Sequence, residues 1–219
     1  MLNKKESMIL SYQEMIKAMS KVTAQMVKEV RQATGAGILE TKKALDAAEG
    51  NFEKAIDLLR QKGAARAEKR VGRDVNEGLI KMYSHTGGRI GVMLELNCET
   101  DFVARNENFQ ILAHNVALQI AAMSPKYVNI EDVDQAELDR ELEVLRNQAL
   151  AEGKPEHIVE KIVSGRMNKF YEDVCLLEQS FVKDDSKKIK DLVVETISAT
   201  GENIVISRFA RYEIGESAE

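Results

Sequence analysis

The chain has 219 residues, of which 44% are hydrophobic, 31% are charged and only 5% are aromatic. At about 100–200 residues per domain, these figures predict one or two globular domains, each able to bury a core. No run of about 18 apolar residues occurs, which argues against a transmembrane helix, and the Met1–Ser20 segment lacks the apolar block of a signal peptide. We therefore expect a cytoplasmic protein that does not bind membranes.

Charge is distributed unevenly along the chain. The formal net charge is −5, yet residues 22–74 carry 11 basic and 8 acidic groups, whereas residues 75–219 carry 16 basic and 26 acidic groups. A basic front of this size suits contact with phosphate or with an acidic protein surface, but the acidic remainder repels a nucleic-acid backbone. We expect no direct nucleic-acid binding.

Apolar side chains recur at helical spacing in three stretches near the N terminus. Thr23 is placed to cap the first helix, and the glycines of Thr34–Gly37 allow a sharp turn before the second. Asn51 is placed to cap the third helix, which we expect to end near Gly63. The pattern predicts a compact three-helix bundle.

From Gly78 the apolar spacing changes to the alternation typical of strands. The pattern predicts these elements in order: a hairpin of Leu79–Ser84 and Arg89–Cys98; helices Phe109–Met123, Gln135–Ala151 and Pro155–Tyr171; a short strand, Leu176–Phe181; a helix from the cap Ser186 to Ala199; and a strand Ile204–Glu213. The predicted class is α+β with a small antiparallel sheet. The predicted divisions are a dispensable extension (1–20), the bundle (21–63), a basic linker (64–76) and an α+β core domain (77–215).

Residue patterns for catalysis or metal binding do not stand out. The sequence has neither a phosphate-binding G-x-x-x-x-G-K-[ST] loop nor a strand-borne G-x-G-x-x-G motif. His85, His114 and His157 have no partner at metal-ligand spacing, and Cys98 and Cys175 form no CxxC pair, so we expect half-buried structural thiols. We expect no metal or cofactor, and no enzyme chemistry, in this chain.

Two segments suggest binding. Ile38 and Leu39 are consecutive, so they point to different sides of a helix start, and a bundle this small buries one more easily than both. From the residues alone, core packing of both and partner contact by one remain equal alternatives.

The second segment is Asn97–Asn106, in which a strand ends in two acidic residues and an aromatic side chain begins a helical turn. Thr100 or Asp101 is placed to cap that turn. The residues alone favour Phe102 as a core side chain over Phe102 as a partner contact.

These segments, with a third near the C terminus, make the chain resemble the bacterial elongation factor Ts family. The matching stretches are Val27–Leu45 (VKEVRQATGAGILETKKAL), Glu95–Asn106 (ELNCETDFVARN) and Cys175–Glu213, which contains LLEQSFVKDDSK and GENIVISRFARYE. The resemblance begins near residue 20. It implies a bundle similar to a ubiquitin-associated domain, followed by an α+β core. It also implies a guanine nucleotide exchange factor for elongation factor Tu, in which the chemistry belongs to the GTPase partner.

The resemblance assigns roles to both segments. In the family, the apolar pair after the TGAG turn docks on the partner's nucleotide-binding domain, and the TDFVA segment enters near the partner's magnesium and phosphate site. Asp101 and Phe102 are then the intruding pair, with Phe102 filling an apolar pocket. The implied partner-binding residues are Val30, Ile38, Leu39, Thr100, Asp101, Phe102 and Val103.

Longer family members carry two related core halves, whereas this chain shows one hairpin-plus-helix unit and resembles a short form. A single half leaves apolar strands, including Ile90–Leu96 and Ile204–Ile206, to be covered, so we expect a two-fold symmetric homodimer. Because Met19 would make a natural start, we expect residues 1–18 to be dispensable. Two other hypotheses are an adaptor whose bundle binds a peptide or ubiquitin, and a small hydrolase, for which no residue pattern exists.

Overall fold

The computed structural model describes residues 22–216, so the predicted N-terminal extension, residues 1–20, lies outside the described residues. The chain divides into two compact units. The first contains the chain up to Val71 together with Val194–Gly201, and the second contains Gly72–Val193 together with the chain from Glu202 onward. No helix among the described residues is long and apolar enough to cross a membrane.

A bundle of three helices makes up most of the first unit: α1 (Ala24–Thr34), α2 (Ile38–Ala47) and α3 (Phe52–Glu68). Thr23 and Asn51 cap α1 and α3, as predicted, by accepting hydrogen bonds from backbone N–H groups in the first turn. Gly35 ends α1 in the left-handed conformation, with φ of 67°. The buried bundle core consists of Val30, Ala36, Ala44, Leu45, Ala48, Ala55 and Leu59.

The third helix is longer than predicted. It continues through Gly63 to Glu68, so the predicted linker, residues 64–76, begins inside a helix. A Cβ atom at Gly63 would lie 3.0 Å from the hydroxyl oxygen of Ser198, which belongs to the same unit. Glycine therefore permits close packing inside the helix here, although in the sequence it resembles a helix stop.

Five strands follow in the second unit: β1 (Glu77–Ser84), β2 (Ile90–Cys98), β3 (Ser180–Phe181), β4 (Asp184–Lys188) and β5 (Ile204–Glu213). The antiparallel strands β1, β2 and β5 form a sheet in the order β1-β2-β5, and β3 pairs with β4 in a separate two-stranded sheet. Met93 in the central strand β2 pairs with Met82 on one side and with Ala210 on the other. The predicted last strand is confirmed.

Within residues 22–216 there are five more α-helices: α4 (Asp101–Ala104), α5 (Glu107–Met123), α6 (Gln135–Ala151), α7 (Glu156–Val174) and α8 (Ile189–Thr200). Helix α5 contacts β1 and β2, and α6 pairs with α7 as a helical hairpin that has its own small core. That hairpin core contains Leu145, Ala149, Val159, Val163 and Met167. The predicted α+β class is confirmed.

The two faces of the three-stranded sheet differ. Side chains alternate between the faces along each strand. The inner face is buried and contains Val92, Leu94, Leu96, Cys98, Ile204 and Ile206. The outer face exposes apolar side chains, namely Ile80, Met82, Met93 and Tyr212. An ion pair between Arg208 and Glu95, with an N–O distance of 2.7 Å, crosses this outer face.

The predicted strand over Leu176–Phe181 is wrong for most of its length. This stretch begins with a 3₁₀ turn, Leu176–Glu178, and only its last two residues form β3. Buried amide side chains fix this change of direction: Gln119 donates to Gln179 at 3.2 Å and accepts from the N–H of Val182 at 2.9 Å. Such side-chain bonds leave no periodic signal in a sequence.

The predicted helix cap at Ser186 is also wrong. Ser186 lies in β4, and its hydroxyl donates to Asp184 at 2.6 Å. Asp191, in the first turn of α8, instead accepts a hydrogen bond from the N–H of Lys188 at 2.8 Å. Serine serves turns as readily as caps, which explains the error.

Both cysteines are free thiols and are fully buried, rather than half-buried as expected. Burial is the largest cause that raises the pKa of Cys98, and likewise of Cys175, to about 11. A thiol with so high a pKa stays protonated at neutral pH and is a poor nucleophile. Their burial fits a structural role.

Candidate partner-binding site

A single helical turn follows the central strand of the sheet. This segment, called here the Thr100–Ala104 turn, consists of helix α4 and its capping residue. The hydroxyl oxygen of Thr100 accepts a hydrogen bond from the N–H of Val103 at 3.4 Å, so Thr100 and not Asp101 is the cap. One helical turn is unstable in isolation, and its geometry therefore depends on surrounding contacts.

The turn buries one side and exposes the other. Val103 and Ala104 pack into the protein, whereas the Phe102 side chain is 77% exposed. The core position favoured for Phe102 from the residues alone is therefore wrong. Val103, which the resemblance placed in the binding surface, is buried instead, because consecutive residues of a helix point in different directions.

Asp101 is also on the exposed side of the turn. Its carboxylate accepts a hydrogen bond from Arg105, one helical turn later, at 2.7 Å, and both side chains are largely exposed. An exposed pair of this kind contributes little to stability, about 0–1 kcal/mol. The Asp101 carboxylate is therefore accessible to a binding partner at little cost to the fold.

The start of the turn is held by a carboxylate from a distant part of the chain. Glu202, just before β5, accepts hydrogen bonds from both the N–H of Thr100, at 3.0 Å, and its hydroxyl, at 2.7 Å. The same carboxylate adds to the rise in the pKa of the nearby Cys98 thiol, after the larger effect of burial. Thr100 is thus fixed through its backbone and its side chain together.

A second set of bonds runs in the opposite direction. The Glu99 carboxylate accepts a hydrogen bond from the N–H of Asn203 at 2.6 Å and faces Arg73 at 3.5 Å. The buried Asn203 amide donates in turn to the carbonyl of Arg73 at 3.0 Å. Two segments, Glu99–Thr100 and Glu202–Asn203, are therefore joined in both directions. The carboxylate of each segment accepts a hydrogen bond from a backbone N–H of the other.

The apolar pair on the bundle is exposed as well. Ile38 and Leu39 begin helix α2 and are 63% and 65% exposed. Neither therefore completes the core, so the core packing that the residues left open is wrong. Partner contact by this pair stays a prediction. Gly37 is the N-cap of α2 and has no side chain with which to cap it. The hydroxyl of Thr41 donates a hydrogen bond to the Gly37 carbonyl at 3.0 Å.

Val30, the third bundle residue that the resemblance assigned to binding, is fully buried. It is the buried residue of α1 and packs with Leu45 and Leu59 in the bundle core. Val30 is therefore not exposed for direct contact with a partner. Its contribution is to the bundle that supports the exposed pair.

A shallow groove of about 390 Å³ lies beside Ile38. Its cationic lining residues are Lys28, Arg31 and Lys42. The other lining residues besides Ile38 are Val22, Thr23, Ala24 and Val27, which are apolar except for Thr23. A groove with apolar and basic lining residues is complementary to apolar and acidic groups.

The described residues contain no group of three or more His, Cys, Asp or Glu side chains that could hold a metal ion. Two of the three histidines contact one tyrosine: the Tyr83 hydroxyl lies 3.1 Å from Nδ1 of His85, and the His114 ring meets the Tyr83 ring edge-on. These contacts give both histidines a packing role.

Sequence reasoning missed Glu202 and Asn203 as supports of the Thr100–Ala104 turn. The hydrogen bonds join residues 102 to 104 positions apart, a separation for which no local pattern gives a signal. The only indication in the sequence was that both residues lie in the stretch GENIVISRFARYE, which resembles the family.

Comparison with known proteins gives consistent matches. The family model described as Elongation factor TS matches residues 6–216. Elongation factor Ts of Desulfitobacterium hafniense is 58% identical over 201 residues, which are 92% of this chain and 93% of that protein. The protein of the same name from Thermotoga neapolitana is 56% identical over 172 residues (78% and 86%), and that from Syntrophomonas wolfei is 54% identical over 198 residues (90% and 92%).

A helical bundle and an α+β unit, each presenting exposed apolar side chains, together with these matches, make this chain a translation elongation factor. It belongs to the elongation factor Ts family, as its three long motifs predicted. The family match begins at residue 6, upstream of residue 20, where we expected the resemblance to start.

Proposed function

We propose that this protein is a guanine nucleotide exchange factor that binds elongation factor Tu carrying GDP and promotes release of the GDP. The observation that carries the proposal is the Phe102 side chain, 77% exposed on a turn that is anchored on both sides of it. A large aromatic side chain held away from the core has no role in folding. It is available to enter an apolar pocket of a partner.

In this proposal, docking and nucleotide release depend on two different surfaces. Ile38 and Leu39 dock on the nucleotide-binding domain of the GTPase, and Asp101 with Phe102 disturbs its magnesium and phosphate site. Burial of one Phe side chain supplies about 1.5–3 kcal/mol. A coupling of about 1–3 kcal/mol lowers nucleotide affinity by about 5–150-fold, so the phenylalanine accounts for a substantial part of the exchange.

The protein contributes no turnover chemistry and no cofactor of its own in this proposal, because hydrolysis of GTP belongs to the partner. It acts in the cytoplasm with that partner. Coupling between the two binding events is reciprocal: a factor that loosens GDP must itself be loosened by GDP to the same extent. Incoming nucleotide therefore expels the exchange factor.

The test is release of a fluorescent GDP analogue from purified elongation factor Tu, followed as the concentration of this protein is raised. We expect acceleration that saturates. We also expect the affinity of this protein for the GTPase to fall, when GDP is added, by the factor by which it weakens GDP. Binding without accelerated release would overturn the exchange role and favour an adaptor.

We also propose that two copies of this chain associate through the outer face of the sheet. Ile80, Met82, Met93 and Tyr212 present an apolar surface there, and such a surface is normally covered. The Glu95–Arg208 pair beside it carries both signs of charge. The same pair on a second copy, turned by a two-fold axis, is complementary to it, so this face is suited to self-association.

A further inference from the structure

The Thr100–Ala104 turn has to present Phe102 in a fixed direction, yet Phe102 itself contributes nothing to fixing it, since its side chain is exposed. The four residues of α4 are too few to hold a helical conformation alone. Val103 and Ala104 anchor the end of the turn by burial. The direction of its first residues must therefore be set by polar contacts at Thr100.

Both donors of Thr100, its N–H and its hydroxyl, are bonded to one carboxylate, that of Glu202. The Thr100 hydroxyl donates to Glu202 at 2.7 Å, while its oxygen accepts from the N–H of Val103 at 3.4 Å. The second oxygen of Glu202 accepts from the Thr100 N–H at 3.0 Å. Hydrogen bonds to an ionised carboxylate are stronger than neutral ones, and donation by the hydroxyl polarises the oxygen that caps the helix.

Glu202 is itself held in place. It follows Gly201, whose φ of 82° permits the sharp change from α8 to β5. The next residue, Asn203, is buried and bonded to both Glu99 and Arg73. The N–H of Gly201 donates to the carbonyl of Ile197 at 2.8 Å, so the backbone is constrained on both sides of Glu202 and its carboxylate is presented to Thr100 in a defined position.

We propose that Glu202 is a positioning residue for nucleotide exchange: by holding the cap of the Thr100–Ala104 turn, it keeps Phe102 aimed outward before the GTPase binds. This role rests on the exchange function proposed above. The Glu202 side chain is partly exposed, and its carboxylate is hydrogen-bonded to Thr100. In this proposal Glu202 therefore acts through Thr100 and does not contact the nucleotide. Preorganisation of this kind affects the rate within the complex more than the formation of the complex.

The experiment compares wild type with Glu202→Ala and Glu202→Gln in GDP release from elongation factor Tu, at protein concentrations up to saturation. Alanine removes both acceptors, and we expect the maximal rate to fall about ten-fold, as for loss of a charge-assisted hydrogen bond. Glutamine still accepts from the Thr100 N–H, and we expect partial rescue, to about three-fold below wild type. The half-maximal concentration should change less than about two-fold for either variant.

Glu152→Gln is the control, because Glu152 is an exposed carboxylate that, like Glu202, accepts two hydrogen bonds from one residue, here Arg166, at 2.8 Å each. It should leave the maximal rate unchanged. A structural role alone would lower the melting temperature of Glu202→Ala but leave the maximal rate at 25 °C as in wild type, and that result would overturn the proposal.

Hydrogen exchange of the Val103 amide gives a readout that does not depend on activity. We expect faster exchange at Val103 in Glu202→Ala and unchanged exchange in the α6–α7 hairpin. Inactivity of the wild type toward elongation factor Tu would overturn the exchange function. An active wild type with unchanged Val103 protection in Glu202→Ala would overturn the positioning role alone.

Discussion

Two exposed apolar features of the described residues, the Ile38–Leu39 pair and Phe102, are held by different kinds of contact. Ile38 and Leu39 stand on α2, a ten-residue helix fixed by packing against helices that are its neighbours in the chain. Phe102 stands on α4, a four-residue helix whose cap is held by a carboxylate 102 positions away. One surface is supported by local packing and the other by long-range polar bonds.

This difference means that the two surfaces can be damaged separately. In the proposed function, the docking pair needs only a stable helix that keeps both side chains exposed. A side chain proposed to displace parts of a partner's nucleotide site needs a defined direction, and that requires contacts to a fixed support. Mutations in the bundle should therefore affect association, and mutations around the turn should affect the rate at saturation.

The largest effect is expected for Phe102→Ala. Loss of about 1.5–3 kcal/mol of burial in the complex corresponds to a decrease of about 10–150-fold in the maximal rate of GDP release. Circular dichroism should be unchanged, because the side chain is exposed in the free protein. The matched control is Ile111→Ala, an exposed apolar residue on α5, which should keep full activity. If Phe102→Ala were unfolded, Phe102 would be required for folding and its assignment as a partner contact would be wrong.

A smaller effect is expected when Ile38 and Leu39 are both changed to Ser. Association should weaken, with the half-maximal concentration rising about ten-fold, because apolar contact area is lost only in the complex. The maximal rate at saturation should be retained. Leu150→Ser, at an exposed position of α6, is the control and should change neither quantity. If the half-maximal concentration of the double variant matched that of wild type, the pair would be excluded from the interface.

The same contrast explains how much of the molecule could be predicted from its sequence. Features set by neighbouring residues were correct, such as the caps Thr23 and Asn51 and the alternating strand Ile204–Glu213. Gly63 was misread as a helix stop because its partner, Ser198, is distant in the chain. Local periodicity reports which residues share a face, but not what packs against that face.

For the site, motif resemblance selected two segments, but it did not indicate which of their side chains face outward. It grouped Val30 with Ile38 and Val103 with Phe102, and in each pair the first residue is buried. Burial depends on the orientation of each helix in the folded unit, which a motif does not encode. Glu202 escaped prediction for the related reason that its bonds to Thr100 are long-range.

The outer face of the sheet is a third apolar surface. We expect it, unlike the Ile38–Leu39 pair and Phe102, to bind a second copy of this chain. Light scattering at micromolar concentration should give about twice the chain mass of 24.5 kDa. Changing Met82 and Met93 to Glu should give the monomer mass, since two charges would then be buried at the contact. Val71→Glu, at an exposed apolar position in the first unit, should leave the mass unchanged. A monomeric wild type with full exchange activity would refute self-association.

The smallest effect is expected for removal of residues 1–18, which lie outside the described residues. A chain that starts at Met19 keeps Val22, whose side chain packs on the bundle, and Thr23, which caps α1. The buried bundle core begins at Val30, so every residue of that core is retained. Because local packing supports this surface, we expect unchanged exchange activity and a melting temperature within about 2 °C of the full chain. The family match from residue 6 makes the measurement informative, since a larger drop in either quantity would show that residues 6–18 stabilise the bundle or take part in binding.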